Sequence, residues 1–213
     1  MDLIKITYIL IISLIASFVI RAIGTLLPQV FQNVYMVKGT IIAHMLFMFV
    51  HCLFFVWFLR EYTAGRQQIL RTGSILAVIG SLSVALIYLK NLCHVFQLDV
   101  LPVFCMSHYF DAFVPLVSSL FHLAFFGIFK KAQSQEEYEF LNRSILSAII
   151  GVVTFMVLHL VVLINFLKFQ KFNWLEHMPR MIAVVTVPFT AAAAILILYF
   201  YIRFYQFLVL QRR

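Results

Sequence analysis

Six long apolar stretches, each of roughly 20 residues or more, divide the chain and constrain its fold more than any other feature. Crossing the hydrocarbon layer takes about 20 residues of helix, because a helix satisfies its own backbone hydrogen bonds where water is absent. We therefore predict an all-α polytopic membrane protein, a single domain over residues 1–213 with six transmembrane helices in one bundle. The predicted spans run approximately over 3–27, 37–58, 72–96, 103–129, 144–167 and 181–205.

Composition agrees with this prediction and removes other classes of protein. Hydrophobic residues make up 64% of the chain and charged residues only 11%, which excludes an ordinary soluble domain and a disordered chain. The formal net charge of +8 would point to nucleic acid in a soluble protein. In a membrane protein it reflects topology and lipid headgroups, so we expect the lipid bilayer as a partner and no nucleic acid.

Basic residues are distributed unevenly between the two ends of the predicted spans. The end that holds both termini has ten of them, namely Lys5, Arg60, Arg66, Arg71, Lys130, Lys131, Arg143, Arg203, Arg212 and Arg213. The opposite end has four, namely Lys38, Lys168, Lys171 and Arg180. Cytoplasmic loops of membrane proteins are enriched in Lys and Arg, so both termini are predicted to be cytoplasmic. We expect a multi-pass protein of the bacterial inner (plasma) membrane.

Polar and ionisable residues inside the spans are the candidates for function. A charged side chain at the centre of a span costs roughly 2.5–3.5 kcal/mol on insertion scales, so each one calls for snorkelling, pairing or a use. In the predicted orientation most of them fall in the outer half of the bilayer, which indicates a polar cavity open to that side. The predicted ligand-binding residues are Arg21, His44, Lys90, His94, His108 and Asp111.

Helical spacing gives the second, third and fourth spans one polar line each, and these lines include all of the predicted ligand-binding residues except Arg21. Lys90 and His94 are four residues apart, and Ser83 precedes Lys90 by seven residues on nearly the same line. Asp111 is the only acid well inside a span, so an uncompensated carboxylate there has to find a cation or a proton. We predict a pair between Asp111 and either Lys90 or Arg21, with a hydrogen bond to His108 as the alternative. In the simpler interpretation the cations snorkel and the histidines donate to nearby carbonyl groups.

The leading hypothesis is a protein that binds a small or anionic ligand as a transport, sensory or complex-assembly component. The chain has no HExxH, GxSxG, P-loop or CxxC motif, so a non-enzymatic function is favoured and an enzyme is left open. The first alternative is an electron-transfer subunit that binds haem b, with His51, His122 and His159 as candidate iron ligands at similar depths. The second alternative is a scaffold subunit of a larger membrane complex.

Two further features carry expectations about partners and oxidation. Small residues in the sixth span would allow another helix to approach closely, either within the bundle or from a second subunit that contacts Thr190, Ala191 and Ala194. Cys93 and Cys105 lie near the outer ends of the third and fourth spans, so a disulfide there is an open prediction.

Overall fold

Long helices make up the structure. The computed structural model describes residues 2–26, 34–63, 68–96, 108–133, 139–169 and 180–212, and these ranges are helical except for single residues at their ends. The helices are α1 (Leu3–Leu26), α2 (Val34–Trp57), α3 (Gln68–Val95), α4 (His108–Ala132), α5 (Glu139–Phe169) and α6 (Arg180–Gln211), with a π-helical turn at Phe58–Tyr62 that extends α2. All six helices are long and apolar enough to cross a membrane. The chain thus has the character of a multi-pass integral membrane protein, as predicted.

The predicted spans agree with the helices over the described residues, and five of the six helices run further at one end or both. Residue 27 of the first predicted span and residues 103–107 of the fourth lie outside the described residues. The predicted span 144–167 lies inside α5, which begins at Glu139 and includes the exposed ion pair between Glu139 and Arg143. Apolar patterning marks only the part of a helix that lipid surrounds, whereas helical hydrogen bonding continues among polar residues. The sequence therefore predicts the spans well and the helix ends less well.

The helices form a closed ring in chain order. Each helix packs against its neighbours in the sequence, and α1 also packs against α6. Arg212 Nη1 lies 2.8 Å from Asp2 Oδ2, which joins the two ends of the chain. The Lys5 backbone amide and the Arg212 guanidinium hold the pKa of the Asp2 carboxyl below its usual value. Both termini lie at the same end of the bundle, as six spans require, and the cytoplasmic location of that end stays a prediction.

The bundle has two halves that differ in their interiors. We call the half that holds the chain ends the terminal half and the opposite half the distal half. Aromatic rings from α2, α4 and α6 meet across the interior of the terminal half, as in the contacts of Phe55 with Phe125 and of Phe126 with Phe200. The buried rings of this aromatic core are Phe54, Phe55, Phe58, Tyr62, Phe125, Phe126, Phe129, Phe200, Tyr201, Phe204 and Phe207. Dense packing of large rings fills this half.

Large apolar side chains cover the outside of every helix. Each helix has at least one that is about half exposed or more near the middle of its span, namely Ile12, Phe49, Leu82, Leu120, Val157 and Ile195. A protein in water rarely exposes so much contiguous apolar surface. A ring of helices with apolar residues on both its inner and its outer surface is stable when lipid hydrocarbon surrounds it.

Gly151 sets the close approach of α5 and α6. A Cβ atom at this position would lie 2.8 Å from the Ala193 carbonyl oxygen and 2.9 Å from Ile197 Cγ1. We expect Gly151→Ala to lower the free energy of unfolding by about 1–3 kcal/mol, because the two helices would have to separate. Unfolding in mixed detergent micelles measures this change.

Gly127 offers a matched control for this substitution. A Cβ atom at Gly127 in α4 meets nothing within 4 Å. Gly127→Ala should leave stability unchanged or raise it by about 0.5–1 kcal/mol, because alanine is the better helix former. Equal effects of the two substitutions would show that the contact at Gly151 does not limit the packing of α5 and α6.

Candidate functional site

A buried ion pair joins α3 to α4 in the distal half. Lys90 Nζ donates to Asp111 Oδ2, and the two side chains are only 9% and 10% exposed. The ring places α3 beside α4, and Asp111 lies in the first turn of α4. The prediction that Asp111 pairs with a cation is confirmed, and Lys90 is the partner.

The second oxygen of this carboxylate is a buried acceptor. Asp111 Oδ1 has no hydrogen-bond partner within the described residues. A carboxylate offers about four lone-pair sites, and buried polar atoms in folded proteins are nearly always hydrogen-bonded. Among the described residues of the distal half, Oδ1 is therefore the one buried side-chain acceptor without a partner.

The other predicted ligand-binding residues whose side chains are described, His44 and His94, have separate environments. His44 is buried, its Nδ1 lies 2.8 Å from the Thr40 carbonyl oxygen, and its ring stacks on Tyr88. His94 is exposed near the end of α3, which fits the interpretation that it reaches the membrane surface. Arg21 and His108 belong to α1 and α4, but their side chains lie outside the described residues. The structure thus joins two of the six residues directly.

A second group of polar side chains lies near the middle of the bundle. His51 from α2, Ser81 from α3, His122 from α4 and Tyr201 from α6 form this group, which we call the central cluster. His51 Nε2 is 2.6 Å from the Tyr201 hydroxyl, and His51 Nδ1 is 3.2 Å from Ser81 Oγ. Ser81 Oγ is also 3.0 Å from His122 Nε2. Four helices therefore share one continuous hydrogen-bond chain.

Helix packing fixes the position of His122 in this chain. His122 Nδ1 lies 2.7 Å from the Ser118 carbonyl oxygen one turn earlier, with the Ser118 hydroxyl farther away at 3.4 Å. A Cβ atom at Gly80 would approach His122 Cε1 to 3.2 Å. Because Gly80 has no side chain, α3 and α4 come close enough for the next residue, Ser81, to bond the imidazole.

His159 belongs to a separate hydrogen-bond group on α4 and α5. Its Nδ1 lies 3.0 Å from the Ser119 hydroxyl oxygen, and that hydroxyl is 2.9 Å from the Pro115 carbonyl oxygen. The Ser119 hydroxyl thus donates a hydrogen bond to the carbonyl group of Pro115, the proline one turn earlier in α4. His159 also stacks on Phe155 of its own helix.

The geometry of the central cluster does not fit haem ligation by the pair His51 and His122. Their rings lie face to face, with centroids 5.1 Å apart and planes inclined by 10°. Two axial histidines instead point a nitrogen at the iron from opposite sides of the haem plane. Here both Nε2 atoms face hydroxyl groups of Tyr201 and Ser81. Across the described ranges no three His, Cys, Asp or Glu side chains group as metal ligands.

Sequence reasoning missed Ser81 and Tyr201. Ser81 is nine residues from Lys90, which places the two residues on opposite sides of α3. The polar line predicted through Lys90 and Ser83 therefore does not include Ser81. Ser83 instead bonds the Ile79 carbonyl of its own helix. Tyr201 belongs to the sixth span, whose most distinctive feature in the sequence is its run of small residues. The available signal was that Tyr201 lies four residues inside the predicted end of the sixth span, which places its hydroxyl within the membrane.

The remaining expectations about span six and the cysteines are only partly addressed. Ala193 of α6 is fully buried and faces Gly151, whereas Thr190, Ala191 and Ala194 are half-buried. A subunit interface at those three residues stays a prediction. Cys93 is buried near the end of α3, and Cys105 lies outside the described residues, so their disulfide also stays a prediction.

An open groove at the terminal end is distant from both polar groups. It has a volume of about 460 Å³ and is lined by Phe140 of α5 and by Arg203, Tyr205, Gln206, Val209 and Leu210 of α6. Arg203 donates to Gln206 Oε1 and stacks on the Tyr199 ring. None of its lining residues is a predicted site residue, so the candidate site remains in the distal half.

Comparison with known protein families, curated proteins and solved structures found no match to this chain.

Proposed function

We propose that the protein binds a small polar ligand in the distal half of its bundle, as a component of transport, sensing or complex assembly. The observation that carries the proposal is the buried Asp111 Oδ1, an acceptor without a partner in the part of the chain that the structure describes. An unsatisfied buried acceptor costs about 1–3 kcal/mol, and more when the group is charged. A hydrogen-bond donor on the ligand removes that cost when it binds.

The charges around Asp111 favour a particular chemistry of ligand. Lys90 is paired with Oδ2, so the charges of the pair are balanced and Oδ1 is its open acceptor. A neutral or cationic group that donates a hydrogen bond, such as a hydroxyl, an amide or an ammonium, suits this site. An anion would meet the carboxylate at close range and be repelled, which counts against the anionic ligand considered from the sequence.

The shape of the bundle supports a site in the distal half. The aromatic core fills the interior of the terminal half. About a tenth of the Lys90 and Asp111 side chains remains exposed, although Asp111 Oδ1 itself is fully buried. Ligand sites in helical bundles commonly lie between helices, in pockets lined mainly by apolar side chains with a small number of polar groups that orient the ligand.

Asp111→Asn tests this proposal with little change of shape. The amide oxygen can keep the bond to Lys90, and the amide nitrogen then replaces Oδ1, so a buried acceptor becomes a donor. We expect the wild-type protein, purified from its own membrane in mild detergent, to carry a small molecule of defined mass. Native mass spectrometry should show that Asp111→Asn has lost it.

Asp2→Asn is the matched control, because Asp2 is a carboxylate at the surface that caps α1 and pairs with Arg212. This variant should keep the bound molecule at wild-type occupancy. A ligand retained in full by Asp111→Asn, or a wild-type protein without any such molecule, would refute a donor ligand at Oδ1.

A further inference from the structure

The open groove at the terminal end lies at the predicted depth of the lipid headgroups. Six residues line it, namely Phe140 of α5 and Arg203, Tyr205, Gln206, Val209 and Leu210 of α6. The predicted fifth span begins at 144 and the predicted sixth span ends at 205, so every lining residue lies within about 8 Å of a predicted span end along its helix. The headgroup region on each side of the hydrocarbon is roughly 5–8 Å thick. We call this groove the terminal groove.

The terminal groove combines an apolar wall with one charge. Phe140, Val209 and Leu210 supply apolar surface, and Arg203 is the only charged residue of the six. The volume of about 460 Å³ is within the range of sites that hold small molecules, roughly 300–1,000 Å³. A molecule that fits this groove therefore needs apolar parts and a group that accepts hydrogen bonds from a guanidinium.

Arg203 has no counter-charge in the part of the chain that the structure describes. Its Nη1 lies 3.0 Å from Gln206 Oε1, and its guanidinium lies over the Tyr199 ring, 5.2 Å from the ring centroid. Both partners are neutral, and no described carboxylate forms an ion pair with Arg203. Arg143, at the same end of the bundle, is instead paired with Glu139. A cation at the edge of the hydrocarbon is stabilised by an anion, and a guanidinium has five N–H donors with which to bind one.

An exposed apolar surface continues from the terminal groove toward the middle of the membrane. Ile195, Tyr199 and Ile202 of α6 form this surface, and all three side chains are exposed. At 100° per residue they lie within about 60° of one another, on the same side of α6 as Gln206. An acyl chain that follows this surface would bring a lipid phosphate to the level of Arg203 and a headgroup into the groove.

We propose that the terminal groove binds one anionic phospholipid. Its phosphate accepts hydrogen bonds from the Arg203 guanidinium. Gln206 Nε2 adds a donor, because Gln206 Oε1 already accepts from Arg203. The rest of the headgroup occupies the groove, and an acyl chain follows the exposed surface of α6. The groove is at the opposite end of the bundle from Asp111, so this proposal and the ligand proposed there can fail separately.

The distribution of charge favours an anionic lipid over a zwitterionic one. The terminal end has ten Lys and Arg residues, and basic residues near the membrane surface attract anionic lipids. A choline headgroup would bring a quaternary ammonium close to Arg203, and two cations repel each other. Phosphatidylglycerol has the phosphate and no compensating cation, so it is the suitable probe.

Native mass spectrometry of the purified protein in mild detergent tests the proposal. The protein is titrated with phosphatidylglycerol and, separately, with phosphatidylcholine that has the same acyl chains. We expect one phosphatidylglycerol per chain, bound about tenfold more tightly than phosphatidylcholine. Arg203→Gln should weaken the binding of phosphatidylglycerol about tenfold and abolish the preference, because it removes the charge-assisted hydrogen bonds to the phosphate. Arg203→Lys should keep part of the preference, since lysine binds phosphate as a point charge.

Arg143→Gln is the matched control, because it removes the same charge from the same end of the bundle at a side chain that is 73% exposed and paired with Glu139. It should change the affinity for phosphatidylglycerol by about twofold or less, since salt screens exposed charges. Equal losses in Arg203→Gln and Arg143→Gln, or equal retention of the two lipids by the wild-type protein, would overturn the proposal. So would a wild-type dimer that Arg203→Gln dissociates, since a second copy of the chain would then cover the groove.

Discussion

Lys90→Met should lower the free energy of unfolding by about 3–5 kcal/mol, because it leaves the Asp111 carboxylate buried without its cation. Both side chains are about nine-tenths buried, so water does not replace the lost partner. The measurement is reversible unfolding in mixed detergent micelles at neutral pH.

A double substitution separates the cost of an unpaired charge from the value of the pair. Lys90→Met combined with Asp111→Leu removes both charges and should recover most of the lost stability, because apolar residues often replace a buried pair at little cost. Arg143→Ala is the surface control. It breaks an ion pair with Glu139 whose side chains are 73% and 74% exposed, and should cost about 0.5 kcal/mol or less. A Lys90→Met variant as stable as this control would contradict a buried charged pair.

The sequence was sufficient to predict the helices and the ion pair. Long apolar stretches permit almost only helices in lipid, so the six spans followed from hydropathy. Asp111 is the only acid well inside a span, and this left Lys90 or Arg21 as its predicted cation, with a hydrogen bond to His108 as the alternative. Both predictions rested on the high cost of exposing a polar group to hydrocarbon. A cost of that size leaves few possible backbone conformations for a span and few possible partners for a buried charge.

The central cluster could not be predicted because its members are related only through packing. His51 and Tyr201 are 150 residues apart in the chain, and their contact depends on how α2 and α6 are rotated in the ring. Serine and tyrosine are also common in membrane helices, where a hydroxyl can bond its own backbone. Ser81 and Ser83 differ only in which side of α3 they occupy, and that choice follows from Gly80 and the approach of α4.

The two halves of the bundle have opposite roles in this interpretation. The terminal half is filled by packed rings, whereas the distal half contains the ion pair with its open acceptor. The central cluster lies where the two halves meet, since Tyr201 belongs both to the aromatic core and to the hydrogen-bond chain. The contact between His51 and Tyr201 in the cluster therefore depends on the packing of α2 and α6.

Phe58→Ala should be among the most destabilising single substitutions, with a loss of about 3–5 kcal/mol. Phe58 is fully buried and its ring contacts those of Phe125 and Phe129 from α4 and Phe204 from α6. The cavity left by its removal would lie where three helices meet, so no single side chain can fill it. The same unfolding measurement applies here.

Phe49→Ala provides the comparison on the same helix. Its side chain is 56% exposed on the outer surface of α2, where lipid or detergent replaces the lost contacts, so the change in stability should stay within about 0.5 kcal/mol. The difference between the two substitutions measures how much of the stability comes from rings packed inside the bundle. If Phe49→Ala were as damaging as Phe58→Ala, the surface assigned to lipid would be a protein interface, and the ring of six helices would be one part of a larger assembly.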